Sequence, residues 1–216
     1  MTTGGSDETT PTRPRHPRGA VRDGLIAAGT ELARTGGPDA VVLREAARMV
    51  GVVPNAAYRH FAGRDELLAA VCTAAMRELA ARMAAGTGRV RGRHRDPAAA
   101  RRRLRAIGQA YLDFAREEPG LFATAFALPH QHAYDTPGTG TGQHPPPLDQ
   151  LRAILDELAD AGVLSRPRRP GIEYPIWSTV HGLAVLTAQG PLRDIPGTTR
   201  HHLEKITRAF IDAGLT

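Results

Sequence analysis

The 216-residue sequence has one cysteine, Cys72, so it cannot form a disulfide within the chain, and its opening, MTTGGSDETT, lacks the apolar stretch of a secretory signal. A cytoplasmic location is expected. No window approaches the roughly 18 uninterrupted apolar residues that a membrane helix needs, so no membrane partner is expected. Missing as well are the G-x-S-x-G, P-loop and G-x-G-x-x-G patterns, which removes the commonest nucleophile elbow and the commonest phosphate cradles. No cofactor is expected. No stretch alternates polar and apolar residues with period two beside turn signals, so strands are not expected either. Aromatic residues are scarce, at 5% of the chain. A cluster of them therefore carries weight.

What is present is an ordinary globular balance, 41% hydrophobic and 23% charged, with an uneven distribution of charge. The net charge of +6 favours a polyanionic partner. Lys and Arg outnumber Asp and Glu by nine to four over residues 10–64 and by nine to one over 82–105, but trail by nine to twelve over 106–216. A polyanion would meet the first half; the second half serves another purpose.

Helical spacing of Val21, Leu25, Ala28, Leu32 and Ala33 predicts a first helix over 18–35, stopped by Gly36-Gly37-Pro38. A second is expected over 42–50, ended by Gly51, and a third over 54–60 with Pro54 in its first turn. Two short helices joined at a glycine are the mark of a helix-turn-helix. A longer helix follows over 64–85, then a glycine- and arginine-rich loop, then helices at 98–117 and, after a break at Pro119-Gly120, at 121–128. Beyond a Pro/Gly/Thr/His-rich insertion at 129–147, helices are expected at 148–162, 174–189 and 199–213. The fold class is all-α, with a basic arm at 1–17, a helix-turn-helix domain at 18–63 and a larger helical domain at 64–216.

The stretch VVLREAARMVGVVPNAAYRHFAGRDELLAAV, residues 41–71, carries the most information. Its Gly51-Val52 turn, its Tyr58 and Phe61 three apart, and the run Arg64, Asp65, Leu67 suggest a third helix held by its own aromatic residues. Over roughly residues 18–71 the chain resembles the DNA-binding domain of the TetR family of bacterial transcriptional regulators. That resemblance implies a homodimer on a double-stranded, near-palindromic operator, and it places Arg44, Asn55, Tyr58, Arg59, His60 and Arg64 near DNA. Asn55 is the candidate base reader, because an amide can pair with adenine in the major groove; Tyr58, His60 and Arg64 suit phosphates. The plain alternative for each is a solvated helix face. Val42 and Val53 stand where family members carry small polar residues, so side-chain caps and hydroxyl contacts to phosphate are lacking there. Arg13, Arg15 and Arg18 suit either a minor-groove arm or a solubilising tail, and the arginines at 89–105 suit a solvated loop better than a second nucleic-acid contact.

In the second half, YPIWSTVHGLAVLTAQG resembles a TetR C-terminal ligand-binding and dimerisation subfamily with Trp177 one turn before His181-Gly182. Gly182 would let a neighbouring helix approach. His181 is either a core or interface histidine or a ligand contact. The large side chains Ile107, Tyr111, Phe114, Leu121, Phe122 and Phe126 crowd a short region, suggesting either a solid core or a lined cavity. Read as a cavity, it has Tyr111, Phe122, Phe126, Trp177 and His181 as ligand-binding residues, with Tyr111 and His181 as its few polar groups. A small apolar or aromatic effector, neutral or weakly anionic, is then expected, with the helix at 64–85 as the predicted element touching both halves. Apolar positions Ile176, Val180, Leu183, Ala184, Leu186, Leu203, Ile206, Phe210 and Ile211 assign the last two helices to a homodimer interface. No metal is expected, since His130, His132, His144, His201 and His202 lack ligand spacing, and Cys72 reads as packing. A repressor released by its effector is the leading reading. A ligand-free DNA-binding protein, and an all-α enzyme using His181 with Glu173, are the alternatives.

Overall fold

Leu25, Ala28 and Ala33 lie on one face of the first helix, α1 (Arg18–Gly36), and are buried there. In the computed structural model, which describes residues 18–93, 95–128 and 143–215, that face packs on α2 (Leu43–Val50) and α4 (Arg64–Gly88). The expected arm, with Arg13, Arg15 and the side chain of Arg18, lies outside the described residues, as do His130 and His132.

Between α1 and α2 a 3-10 turn, Pro38–Ala40, brings Val41 into the core. Leu43, Ala46 and Ala47 bury one side of α2. The helix ends at Gly51, whose φ of 76° and ψ of 27° are left-handed. Val52 N–H then reaches the Ala47 carbonyl at 3.0 Å and Gly51 N–H the Arg48 carbonyl at 3.2 Å, so two carbonyls that α2 leaves open are satisfied. A side chain at Gly51 would have to adopt that same strained backbone.

The third helix is shorter than the sequence suggests. α3 spans Pro54–Ala57, and Arg59 and His60 donate their N–H groups to carbonyls three residues back, on Ala56 and Ala57. The tighter turn carries Phe61 into the core, at 1% exposed. Tyr58 does not anchor the turn alongside it. Its side chain is 46% exposed, and Arg22 covers the Phe61 ring at 5.1 Å instead.

α4 is 25 residues long, roughly 37 Å at 1.5 Å per residue. Its start is fixed by Glu66, whose carboxylate accepts the Ala62 N–H at 2.6 Å. Leu67, Leu68, Val71, Cys72, Ala75, Leu79, Ala80 and Met83 are buried along it, the early ones against α1 and the later ones against α5 (Pro97–Glu117). Asp96 caps α5 by accepting from Ala98 N–H at 2.9 Å.

α5 ends at Glu117 as expected, with Glu118 as its C-cap, and the residue that follows is Pro119. It occupies the first turn of α6 (Pro119–Ala125), where its missing N–H costs no hydrogen bond. Then come α7 (Pro147–Asp160), α8 (Glu173–Ala188) and α9 (Gly197–Leu215). No strand occurs among the described residues, and none of their helices is long and apolar enough to cross a membrane.

Three arginines of the expected solvated cluster fasten α5 to its surroundings. Arg103 donates to Glu157 on α7 and to the Gly92 carbonyl, Arg105 pairs with Asp212 on α9 at 2.8 Å, and Arg102 lies 3.8 Å from Asp96. Arg89, Arg91, Arg93 and Arg95 stay exposed.

Candidate functional site

Two places bring the predicted residues together, one at each end of α4. At the first, α2, α3 and the turn between them present one outer surface. Arg44, Asn55, Tyr58 and Arg59 are exposed on it, and His60 is half-buried. Apolar Val42, Met49 and Val53 are exposed beside them. Neither Val42 nor Val53 makes a side-chain cap, so the backbone N–H groups at the two helix starts are the donors available there. Arg64 is differently placed: its Nη2 donates to the Pro38 carbonyl at 2.8 Å and stands 3.5 Å from Asp39. It ties the start of α4 to the turn after α1, so its charge is partly spent inside the chain.

At the other end, α4, α5, α7, α8 and α9 enclose a cavity of about 340 Å³. Its apolar wall includes Met76 and Met83 from α4, Leu104 and Ile107 from α5, Leu148 and Leu151 from α7, and Ile176 and Val180 from α8. Of the five residues expected to bind a ligand, Tyr111, Phe126 and Trp177 line it. Phe122 and His181 do not, and stand behind that wall. Phe122 is 2% exposed, with its ring centroid 5.5 Å from Tyr111 and 5.2 Å from Phe126; His181 lies 4.7 Å from Phe126 and 5.7 Å from Trp177. The five rings pack on one another and one side of the cluster faces the cavity, so the solid-core and lined-cavity alternatives both hold in part.

The polar groups in the wall are more numerous than the expected pair. Arg77, Arg105, Gln109, Glu204, Thr207, Arg208 and Asp212 line the cavity as well. Sequence reasoning missed the α9 members, although Glu204, Arg208 and Ile211 recur at helical spacing on one face. The exposed apolar residues of α9, Ile206 and Phe210, lie on the other.

Polarity inside the aromatic cluster follows one chain of donors. Trp177 Nε1 can only donate, and it reaches the Tyr111 oxygen at 3.3 Å; the Tyr111 hydroxyl lies 2.7 Å from His181 Nδ1. The phenol therefore accepts from the indole and shares a hydrogen bond with the imidazole whose direction is set by the His181 tautomer. Burial pushes the Tyr111 phenol up and the His181 imidazole down, which keeps both neutral. A histidine in that state does not act as a charged ligand contact.

Gly182 does not serve the close helix contact expected of it within the chain, since a Cβ there would meet nothing within 4 Å. Burial pushes the Cys72 thiol up to about 11, which fits packing rather than reactivity. His201 and His202 are exposed on α9, and among the described residues no three His, Cys, Asp or Glu side chains gather as a metal set would.

α4 is not alone in touching both halves. α6 packs on α1 and on the Pro38–Ala40 turn as well as on α4 and α5. Arg34, near the end of α1, binds Glu78 on α4 at 3.2 Å and Glu118, just before α6, at 2.5 Å.

Comparison with known proteins accounts for both ends. Residues 25–71 match the model for bacterial regulatory proteins of the tetR family, and residues 104–210 match the tetracyclin repressor-like C-terminal domain. No curated protein matches the chain. Among solved structures, a protein of unknown function from Rhodococcus sp. RHA1 is similar at 26% identity and a TM-score of 0.71, over 94% of this chain and 99% of that one. A tetR-family transcriptional regulator from Streptomyces coelicolor shares the fold at 22% identity and a TM-score of 0.54, over 89% of this chain and 79% of that one. So does a protein from Shewanella sp. PV-4 assigned to the tetR family, at 14% identity and 0.59, over 90% and 97%.

Proposed function

The chain belongs to the tetR family of bacterial regulatory proteins, DNA-binding transcription regulators and not enzymes, and from that premise we propose that it is a homodimeric repressor released from its operator by a small, mainly apolar effector. The observation that carries the effector half is the cavity of about 340 Å³ at the far end of α4 from the helix-turn-helix. A pocket of that size with a mainly apolar wall is what a small ligand fills. The DNA-binding unit is residues 18–63 and the effector-binding and dimerisation unit 64–216. In the first unit Asn55 reads a base, while Arg44, Tyr58, Arg59 and His60, joined by Arg64 at the start of the second, hold the backbone.

The homodimer uses α8 and α9. Val185 and Leu186 on α8 and Ile206 and Phe210 on α9 are 40% to 68% exposed, which a solvated monomer would not favour. Gly182, open on its own chain, suits close approach of a partner helix there.

The effector acts by binding better to an arrangement in which the two reading heads no longer fit adjacent major grooves. The test is selection of bound fragments from the source genome, with and without a metabolite extract. Recovery of near-palindromic fragments that the extract releases is the expected result. Fragments retained whatever the extract would favour the ligand-free DNA-binding protein instead.

A further inference from the structure

Val53 immediately precedes α3, at the end of the turn that Gly51 opens, and its side chain is 54% exposed. Its backbone is fixed all the same. The Val53 carbonyl accepts from Ala56 N–H at 2.9 Å and from Ala57 N–H at 3.4 Å, and Pro54 holds the φ that follows. For the fold alone a valine is a poor choice here: it gives the open N–H groups of α3 no side-chain acceptor, and it leaves branched apolar surface in water. The second cost turns into a gain when an apolar group covers the side chain.

The occupant this surface fits is the major groove of DNA. Residues 10–64 carry nine Lys and Arg against four Asp and Glu, and Arg44 and Arg59 are exposed on the same outer surface as Val53. In a helix-turn-helix the first residues of the second helix meet base edges while the helix before it crosses the backbone. Val42 and Met49 stand at the start and near the end of α2, so of the three exposed apolar residues only Val53 is placed at the bases. Next to it are Pro54, with neither an N–H nor a polar side-chain atom, and Asn55, the one amide. Base edges in the major groove offer hydrogen-bonding groups at every pair and a single kind of apolar group, the C5 methyl of thymine.

We propose that Val53 reads a thymine methyl in each half-site, close to the adenine that Asn55 pairs with. This rests on the reading of α3 as the base-reading element. Val53 is suited to the task because its branched side chain is stiff, so little rotamer freedom is lost when a methyl covers it. A hydroxyl at this position would cap α3 and stay indifferent to the methyl. Valine gives up the cap and gains the discrimination.

Random duplexes selected on the full-length protein supply the preferred half-site, which is then remade with uracil in place of one thymine at a time, in both halves. Uracil removes the C5 methyl and leaves the pairing edge as it was. At one thymine position affinity is expected to fall about fourfold per half-site, the worth of burying one carbon. Val53→Ala should bring the thymine and uracil duplexes to within roughly twofold of each other there, the protein and DNA changes no longer adding. Val53→Ser should do the same, and because serine supplies the missing cap, its loss of methyl preference does not come from unfolding. Val42→Ala should keep the wild-type ratio, since Val42 stands at the start of α2.

A half-site in which no thymine methyl matters, or a ratio unchanged in both Val53 variants, overturns the proposal. So does a ratio lost equally in Val42→Ala, which would spread the effect over the whole surface. A change of oligomeric state in Val53→Ser also overturns it, by making Val53 a protein contact. If Asn55→Ala relaxes the selected sequence while uracil costs nothing, this inference fails and base reading by α3 stands. If selection enriches no sequence, both fail.

Discussion

The Tyr111 hydroxyl lies 2.7 Å from Nδ1 of His181, and the same oxygen takes the Trp177 indole N–H at 3.3 Å, so three side chains behind the cavity are set by one phenol. Tyr111→Phe keeps the ring and removes the junction. It leaves an indole donor and an imidazole nitrogen without their partner, at a cost of about 1 kcal/mol or somewhat more. Thermal unfolding checks this, and an unchanged Tm would mean that water takes the hydroxyl's place.

The same pair sets a pH dependence. Burial lowers the His181 value below the ordinary 6.5, so in the window between the lowered value and 6.5 the unfolded chain binds the proton that the folded chain refuses. Stability is then complete above about 6.5 and falls as pH drops through that window. Because the chain has 9 histidines, the comparison must be with a variant. His181→Gln should lose less stability than the parent between about pH 7.5 and 5.5, a range that brackets the ordinary histidine value. Parallel profiles would show that His181 takes up its proton in the folded state.

Affinity for DNA should separate positioning from reading. Arg44 is exposed on the outer surface of α2, so Arg44→Ala should weaken binding to all sequences alike and reduce the salt slope by about one. Asn55→Ala should instead relax preference at one base pair. Arg64→Ala should do more than remove a phosphate contact, because Arg64 also holds the Pro38 carbonyl at 2.8 Å and with it the start of α4. Anisotropy titrations over a range of salt, with Tm measured in parallel, distinguish these three behaviours. An Asn55→Ala protein with unaltered preference would remove Asn55 from the base-reading role.

Much of this architecture is local and therefore readable. Gly51 had to be left-handed to end α2 and start a turn, and the spacing of Leu67, Val71, Ala75 and Leu79 defined one face of α4 before any partner was known. Residues whose roles depend on what lies across from them were not readable. Tyr58 and Phe61 look like one anchor in sequence, but only Phe61 finds the core. Phe122 and His181 share the composition of the cavity wall yet sit behind it, because α6 and α8 turn those positions toward each other. Glu204 was passed over for the same reason. Its helix reads as amphipathic from the apolar residues alone, and its burial comes from the cavity-facing side of the bundle.

The dimer makes a quantitative demand on few residues. Phe210 is 68% exposed and Ile206, one turn before it, 51%, on the face of α9 away from the cavity. Phe210→Asp introduces a charge that an apolar interface cannot solvate, so the dimer should dissociate at micromolar concentration, with operator affinity falling because two half-sites no longer bind together. Sedimentation velocity checks the first effect. A wild-type protein that already sediments as a monomer would sink the assignment of this face.

Gly120 tests whether α6 relays events at the cavity to the DNA-binding end. A Cβ there would collide with the Ala33 carbonyl oxygen and stand 2.6 Å from that of Arg34, both backbone atoms of α1. Backbone cannot swing aside as a side chain can, so Gly120→Ala must push α6 away from α1, at roughly 1–3 kcal/mol. The displaced helix ends against Phe126, which lines the cavity, and it follows Glu118, which binds Arg34 at 2.5 Å. Gly120→Ala should therefore lower Tm and also alter operator affinity, although it touches neither DNA nor effector. Gly108→Ala is the control. Gly108 lies inside α5 at the cavity wall, a Cβ there meets nothing within 4 Å, and replacing a mid-helix glycine should raise stability by up to about 1 kcal/mol. If Gly120→Ala lowers Tm while operator affinity stays equal to that of Gly108→Ala, α6 is packing alone and the relay runs through α4.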